Sequence, residues 1–171
     1  MNKTVKIYVR YMDATSRAVG GVVKFLIFGM IAILLYETVS RTLFNQPHIW
    51  SVESAQFIMA GYYLLGGGYS LLIGSHVRMD LLYNNWSVKK KALADVITFF
   101  IALLYLVVLT YGGWQGIQYA LKYKQVTYSA WAPQVAPIKI IMQIGIVMML
   151  LQLIAEFIKD LAVLRGENIY E

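Results

Sequence analysis

The sequence predicts an all-α integral membrane protein with four transmembrane helices, both termini inside, and an N-terminal amphipathic helix lying along the membrane interface. Three observations predict it. Hydrophobic residues make up 59% of the 171 and charged ones only 14%, against about 25% charge in an ordinary soluble domain. Mean hydropathy is correspondingly high at +0.59. Four apolar stretches, about 18–43, 51–74, 92–121 and 136–158, each reach the ~20 residues that carry a helix across a bilayer core. Basic residues are unevenly placed. Lys3, Lys6, Arg10 and Arg17 precede the first stretch, Arg78, Lys89, Lys90 and Lys91 separate the second from the third, and Lys159 and Arg165 follow the fourth. The other two loops hold Arg41, Lys122 and Lys124. Cytoplasmic loops carry the excess of Lys and Arg, so both termini and the middle loop are expected inside. Four crossings leave little chain over, and 1–171 reads as a single membrane domain.

Each element has its own signal. Over residues 1–17, Lys3, Lys6, Arg10, Asp13 and Arg17 recur at spacings of three and four, with Val5, Tyr8, Val9 and Met12 away from them. That is one polar stripe on a basic amphipathic helix, suited to the inner membrane surface. A cleaved signal peptide fits less well, because no small-residue cleavage site follows and the first span looks full length. Span one carries Glu37 and Arg41 near its outer end at i, i+4, a mutually supporting pair. Pro47 in the turn "FNQPHIW" stops one helix and admits the next. Span two opens at Trp50 and Glu53, where an acid suits a helix N-terminus, and ends near Gly74. Span three, nearly 30 residues long, exceeds what the hydrocarbon core needs and has to tilt or project. A second outer loop, "KYKQVTYSAWAPQVAP", leads to span four. Trp50, Trp114, Tyr123, Tyr128 and Trp131 mark the outer interface, and Tyr83 and Trp86 the inner one.

Chemistry is sparse. The chain has no cysteine, which removes disulfides, thiolate metal sites and a cysteine nucleophile. No span carries an ionisable residue at its centre, where a pump or membrane enzyme needs one. Glu37, Glu53, Lys139 and Glu156 lie toward span ends, and His48 and His76 fall in or beside opposite loops. No catalytic, cofactor or metal site is expected, and the basic balance reports topology rather than a nucleic-acid partner. Packing signals are stronger. Gly66, Ser70 and Gly74 repeat every four residues on span two, and Gly112, Gly116 and Ala120 on span three. Such spacing lets backbones approach in lipid. Packing among the chain's own helices is the favoured use, with docking of a partner helix on the glycine-rich face of span two as the alternative. His76, Arg78 and Asp80 interrupt the apolar run at the inner end of span two. They read as an interface anchor, with Arg78 on lipid phosphate or a helix C-terminus and Asp80 as a cap.

Residues 40–83, "SRTLFNQPHIWSVESAQFIMAGYYLLGGGYSLLIGSHVRMDLLY", resemble the DctQ-type small membrane subunit of tripartite ATP-independent periplasmic (TRAP) transporters. Arg41, the Trp50-x-x-Glu53 pair, the glycine-rich stretch and "HVRMD" from His76 to Asp80 carry the resemblance. The remainder matches by architecture. Val52 is a departure, since many relatives carry a second acid before Glu53. The resemblance implies a scaffold subunit of a sodium-driven importer of organic anions. It would anchor a large, many-span elevator-type permease and help receive a periplasmic substrate-binding protein, with membrane lipids around it. It implies an outer cluster of Glu37, Arg41 and Glu53 bracing spans one and two. It also implies an inner anchor of His76, Arg78 and Asp80, and a periplasm-facing pair, Lys122 and Lys124, able to meet an acidic patch on the binding protein. Two other classes stay open at this point: a self-associating channel or exporter, which needs a polar lining along a span, and an assembly factor for another membrane complex.

Overall fold

The computed structural model describes residues 3–74 and 88–165, and these residues are almost wholly helical. The helices are α1 (Lys3–Val23), α2 (Leu26–Phe44), α3 (Ile49–Leu72), α4 (Val88–Lys122) and α5 (Ala136–Arg165). Among the described residues, extended structure amounts to one isolated bridge between Val126 and Gln134 in the α4–α5 loop.

The first apolar stretch does not begin where its composition does. Residues 18–23 belong to α1, and the ladder tightens just beyond it. Lys24 N–H still reaches Gly20 O at 3.2 Å, but Phe25 N–H turns to Val22 O and Phe28 N–H to Phe25 O, both at 3.1 Å. The adjacent glycines 20 and 21 supply the weak point, as paired small residues do at helix breaks. α2 ends on Asn45, whose φ of 53° lies in the left-handed region that asparagine tolerates at a helix end. Ser40 Oγ ties the turn by donating to Gln46 O at 3.0 Å.

α5 is the central post. It packs against α1, α3 and α4, while α2 packs chiefly on α3 and α4 chiefly on α5. α3 and α5 approach at backbone range, since a Cβ on Gly145 would stand 2.6 Å from the Leu64 carbonyl. The α4–α5 seam is filled by Phe99, Leu106, Ile146 and Leu153, with the Phe99 and Phe157 rings stacked at 3.9 Å. Val9 and Met12 of α1 close on Ala155 of α5.

Three segments are long and apolar enough to cross a membrane: Thr4–Phe44, Val96–Lys122 and Ala136–Leu164. α3 falls outside that set, although its 24 residues span about 36 Å at 1.5 Å each. Glycines 66–68, Tyr62, Tyr63, Tyr69 and Gln56 dilute its hydropathy. The same residues make it a good interior helix among α1, α2 and α5. α4, at 35 residues, is longer than its apolar stretch suggests.

Candidate functional site

Polar side chains gather at two places in the bundle. Where α2 meets α3, Glu37 is nearly inaccessible and draws its donors from the turn that follows. The His48 backbone N–H reaches both carboxylate oxygens at 3.3 and 3.1 Å, and Ser51 Oγ donates at 3.0 Å. Arg41 Nη2 adds a 3.1 Å bond from one helical turn away. His48 Nδ1 lies 3.5 Å from the same carboxylate, and its ring sits between Tyr36 and Trp50, with centroids 5.3 and 6.1 Å away. The turn is short enough that α3 starts with its first donors already aimed at α2. Glu53 is not in this cluster. It accepts from Thr127 Oγ1 at 3.2 Å and so braces the α4–α5 loop instead, because its position on α3 turns it past α2.

That loop is built rather than loose. Thr127 N–H bonds Pro133 O and Val135 N–H bonds Gln125 O, at 3.1 and 3.0 Å. Lys139 on α5 clamps it from below, donating to Gln125 Oε1 at 2.9 Å and Gly116 O at 3.3 Å. Lys122 and Lys124 flank the loop, both exposed. Lys122 lies over the Tyr123 ring at 5.4 Å.

The second gathering joins α1 to α5. Gln152, fully buried, donates to Asp13 Oδ1 at 3.0 Å and Glu156 Oε1 at 2.9 Å and accepts from Ser16 Oγ at 2.8 Å. Lys159 Nζ bridges the same two carboxylates at 2.7 and 2.8 Å. Each of the two carboxylates therefore has an opposite charge and an amide donor, as burial in a low-dielectric setting requires. Asp13 is thus not on the exposed stripe that the spacing of its neighbours suggests. It is 5% exposed, beside Val9, Met12 and Ser16. Sequence reasoning missed this network. The available signal was Gln152, Glu156 and Lys159 at i, i+4 and i+7 in an apolar helix, together with a lone acid among basic residues.

The small residues also divide differently from their four-residue repeats. On α3 the tight positions are Gly67, filled by Met149, and Gly68, beside Ser16 and the Met148 backbone. The chain's own α5 and α1 therefore occupy that glycine-rich face. Gly66 meets only Val23, and Gly74 lies beyond the helix at φ +65° with open space around it. Ser70 has partners of its own. On α4, Ala120 is buried and Gly116 approaches Lys139, but Gly112 faces open space. Gly113 replaces it in the seam, where the Gln143 carbonyl oxygen fills its missing side chain and Gln143 Nε2 donates to Thr110 O at 3.0 Å. His76, Arg78 and Asp80 lie outside the described residues. No group of three or more His, Asp or Glu converges to hold a metal ion among the described residues.

A family model described as tripartite ATP-independent periplasmic transporters, DctQ component, matches residues 30–163. The chain belongs to the DctQ family. The match runs from within α2 to the end of α5, leaving α1 ahead of it. No curated protein matches the chain. DctQ is a family of transporter components rather than of enzymes, and its members work in TRAP transporters with a large permease and a substrate-binding protein. Its membrane-spanning segments and its family together make this chain a membrane protein. In a DctQ component, the two clusters and the braced loop are means of fixing helices and a surface. The carboxylates of Glu37 and Asp13 each draw donors from neighbouring elements of the chain.

Proposed function

We propose that this chain is the fixed scaffold of a sodium-driven TRAP importer for organic anions, of the dicarboxylate or sialic-acid kind. In this reading α3 is the fourth crossing, 1–171 is one domain in a bacterial inner membrane, and both termini are cytoplasmic. α1 lies along the inner surface. The large permease carries substrate and sodium, and this chain holds it in place through the apolar faces of α2 or α4 that its own helices leave uncovered. His76, Arg78 and Asp80 fasten the inner end of α3. Lys122 and Lys124, on the loop braced by Glu53 and Lys139, offer positive charge to an acidic face of the binding protein.

The observation that carries this reading is the internal use of the buried polar groups. Glu37 is consumed by the α2–α3 turn, and Asp13, Gln152, Glu156 and Lys159 by the α1–α5 crossing. A channel formed by self-association needs such groups turned toward a pore. Co-expression of the tagged chain with its genomic neighbours, extraction in mild detergent and reconstitution into liposomes tests the proposal. The expected result is a stoichiometric large membrane subunit whose sodium-dependent uptake disappears when this chain is omitted. A homo-oligomer that conducts or exports solute alone overturns it.

A further inference from the structure

α1 lies ahead of the residues that the family match accounts for, and one side of it is uncovered. Val9, Met12, Asp13, Ser16 and Gly20 turn into the bundle. At about 100° per residue, Arg10 and Arg17 fall on one line about a quarter-turn round from that face, next to Asp13. Farther round, on the side facing away from the bundle, runs an exposed apolar strip: Ile7, Tyr11 and Val22 are 60%, 70% and 71% accessible. Ala14 and Ala18, also exposed, keep the ground between the arginines and the strip low. Arg10, Asp13, Ala14, Arg17 and Ala18 line a groove of ≈ 490 Å³.

The groove is electropositive for a specific reason. Its acid, Asp13, is already held by Lys159 and Gln152 from within the bundle. Among the described residues neither Arg10 nor Arg17 has an ion-pair partner. Two turns separate them, about 10.5 Å along the axis, so both long side chains reach a group seated over Ala14. Guanidinium prefers the fork geometry of phosphate.

We propose that this groove binds the phosphodiester headgroup of an anionic phospholipid, with Arg10 and Arg17 on its phosphate and its acyl chains beside Ile7, Tyr11 and Val22. The apolar strip decides for a lipid over a soluble anion. A site for free phosphate would leave three large apolar side chains in water next to the ligand, whereas a headgroup brings hydrocarbon to cover them. The proposal rests on the interfacial reading of α1 and gives that surface a ligand.

The test uses the full chain in nanodiscs of phosphatidylglycerol and phosphatidylcholine, with native mass spectrometry to count retained phosphatidylglycerol. Because the chain has no cysteine, a nitroxide on Tyr11→Cys reports the depth of α1 against a lipid-borne nickel chelate. The expected result is a label at headgroup depth and a phosphatidylglycerol preference that falls about fivefold per arginine, or ~25-fold in Arg10→Gln/Arg17→Gln. Arg10→Lys/Arg17→Lys should recover most of it, and Lys122→Gln/Lys124→Gln should leave it unchanged. A label at headgroup depth with an unchanged preference in the glutamine variant overturns the site and spares the interfacial reading. A water-exposed label overturns both. Displacement of the lipid by inorganic phosphate overturns the lipid assignment in favour of a free-anion site.

Discussion

The two buried carboxylate clusters differ in reach. Glu37 gathers donors from 4 to 14 positions away along the chain, all within one helix–turn–helix. Two donors to Asp13, Gln152 and Lys159, come from 139 and 146 positions away. The first cluster fixes how α2 folds back on α3 and needs only the turn between them. The second requires α1 to lie across α5. One stabilises a local hairpin of helices, the other joins helices far apart along the chain.

The difference is sharpest at Lys159. Replacing it with Ala removes the ammonium that bridges Asp13 and Glu156 and leaves the two carboxylates side by side without it. Breaking a buried pair from one side costs about 3–5 kcal/mol. Denaturant unfolding in detergent micelles should show that loss. Adding Asp13→Ala should cost much less than its single-variant effect, because the pair is coupled. Strict additivity would mean that α1 and α5 are not joined here. The next largest effect belongs to packing. A methyl on Gly145 meets the Leu64 carbonyl at 2.6 Å, and backbone cannot rotate aside. Gly145→Ala should cost about 1–3 kcal/mol by overpacking, while Gly112→Ala, with nothing within 4 Å, should stay within about 0.5 kcal/mol. Equal effects at the two glycines would break the α3–α5 contact as described. Ser51→Ala at the local cluster should cost about 1 kcal/mol, since Glu37 keeps the His48 N–H and Arg41. The same unfolding titration reads it, and a loss matching that of Lys159→Ala would erase the contrast between the two clusters.

Legibility followed the same division of range. The Glu37–Arg41 pair and the stop at Pro47 could be read directly, because their partners lie within a turn or two of sequence. The resemblance grouped Glu53 with Glu37 and Arg41, but on α3 it accepts from Thr127, 74 positions away. The α1–α5 network was invisible for a related reason. Periodicity put Asp13 on the basic stripe, and only the tertiary position of Gln152 and Lys159 makes that edge of α1 an inside surface. Small-residue repeats showed the same limit. A spacing of four marks a face, but whether Gly112 or Gly113 lies under Gln143 depends on the rotation of α4 against α5, which spacing does not set. α3 reads as a full span in the sequence, yet it is not among the segments long and apolar enough to cross a membrane, since the glycines and tyrosines that fit it to the interior are those that lower its hydropathy.

Arg41 gives the smallest effect and separates two kinds of importance. Its side chain is 62% exposed while that of Glu37 is 8% exposed, so the pair joins a solvated group to a buried one. Exposed i, i+4 pairs contribute about 0.3–0.5 kcal/mol and are screened by salt. Arg41→Ala should therefore shift unfolding by no more than that, and less in high salt than in low. Glu37 retains its turn donors, and the α2–α3 hairpin persists. If the variant nevertheless fails to co-purify the large permease, the guanidinium acts outward, on the partner, from a base that Glu37 holds still. If instead it unfolds as readily as Lys159→Ala, Arg41 is part of the local fold, and the outer cluster is no looser than the inner one.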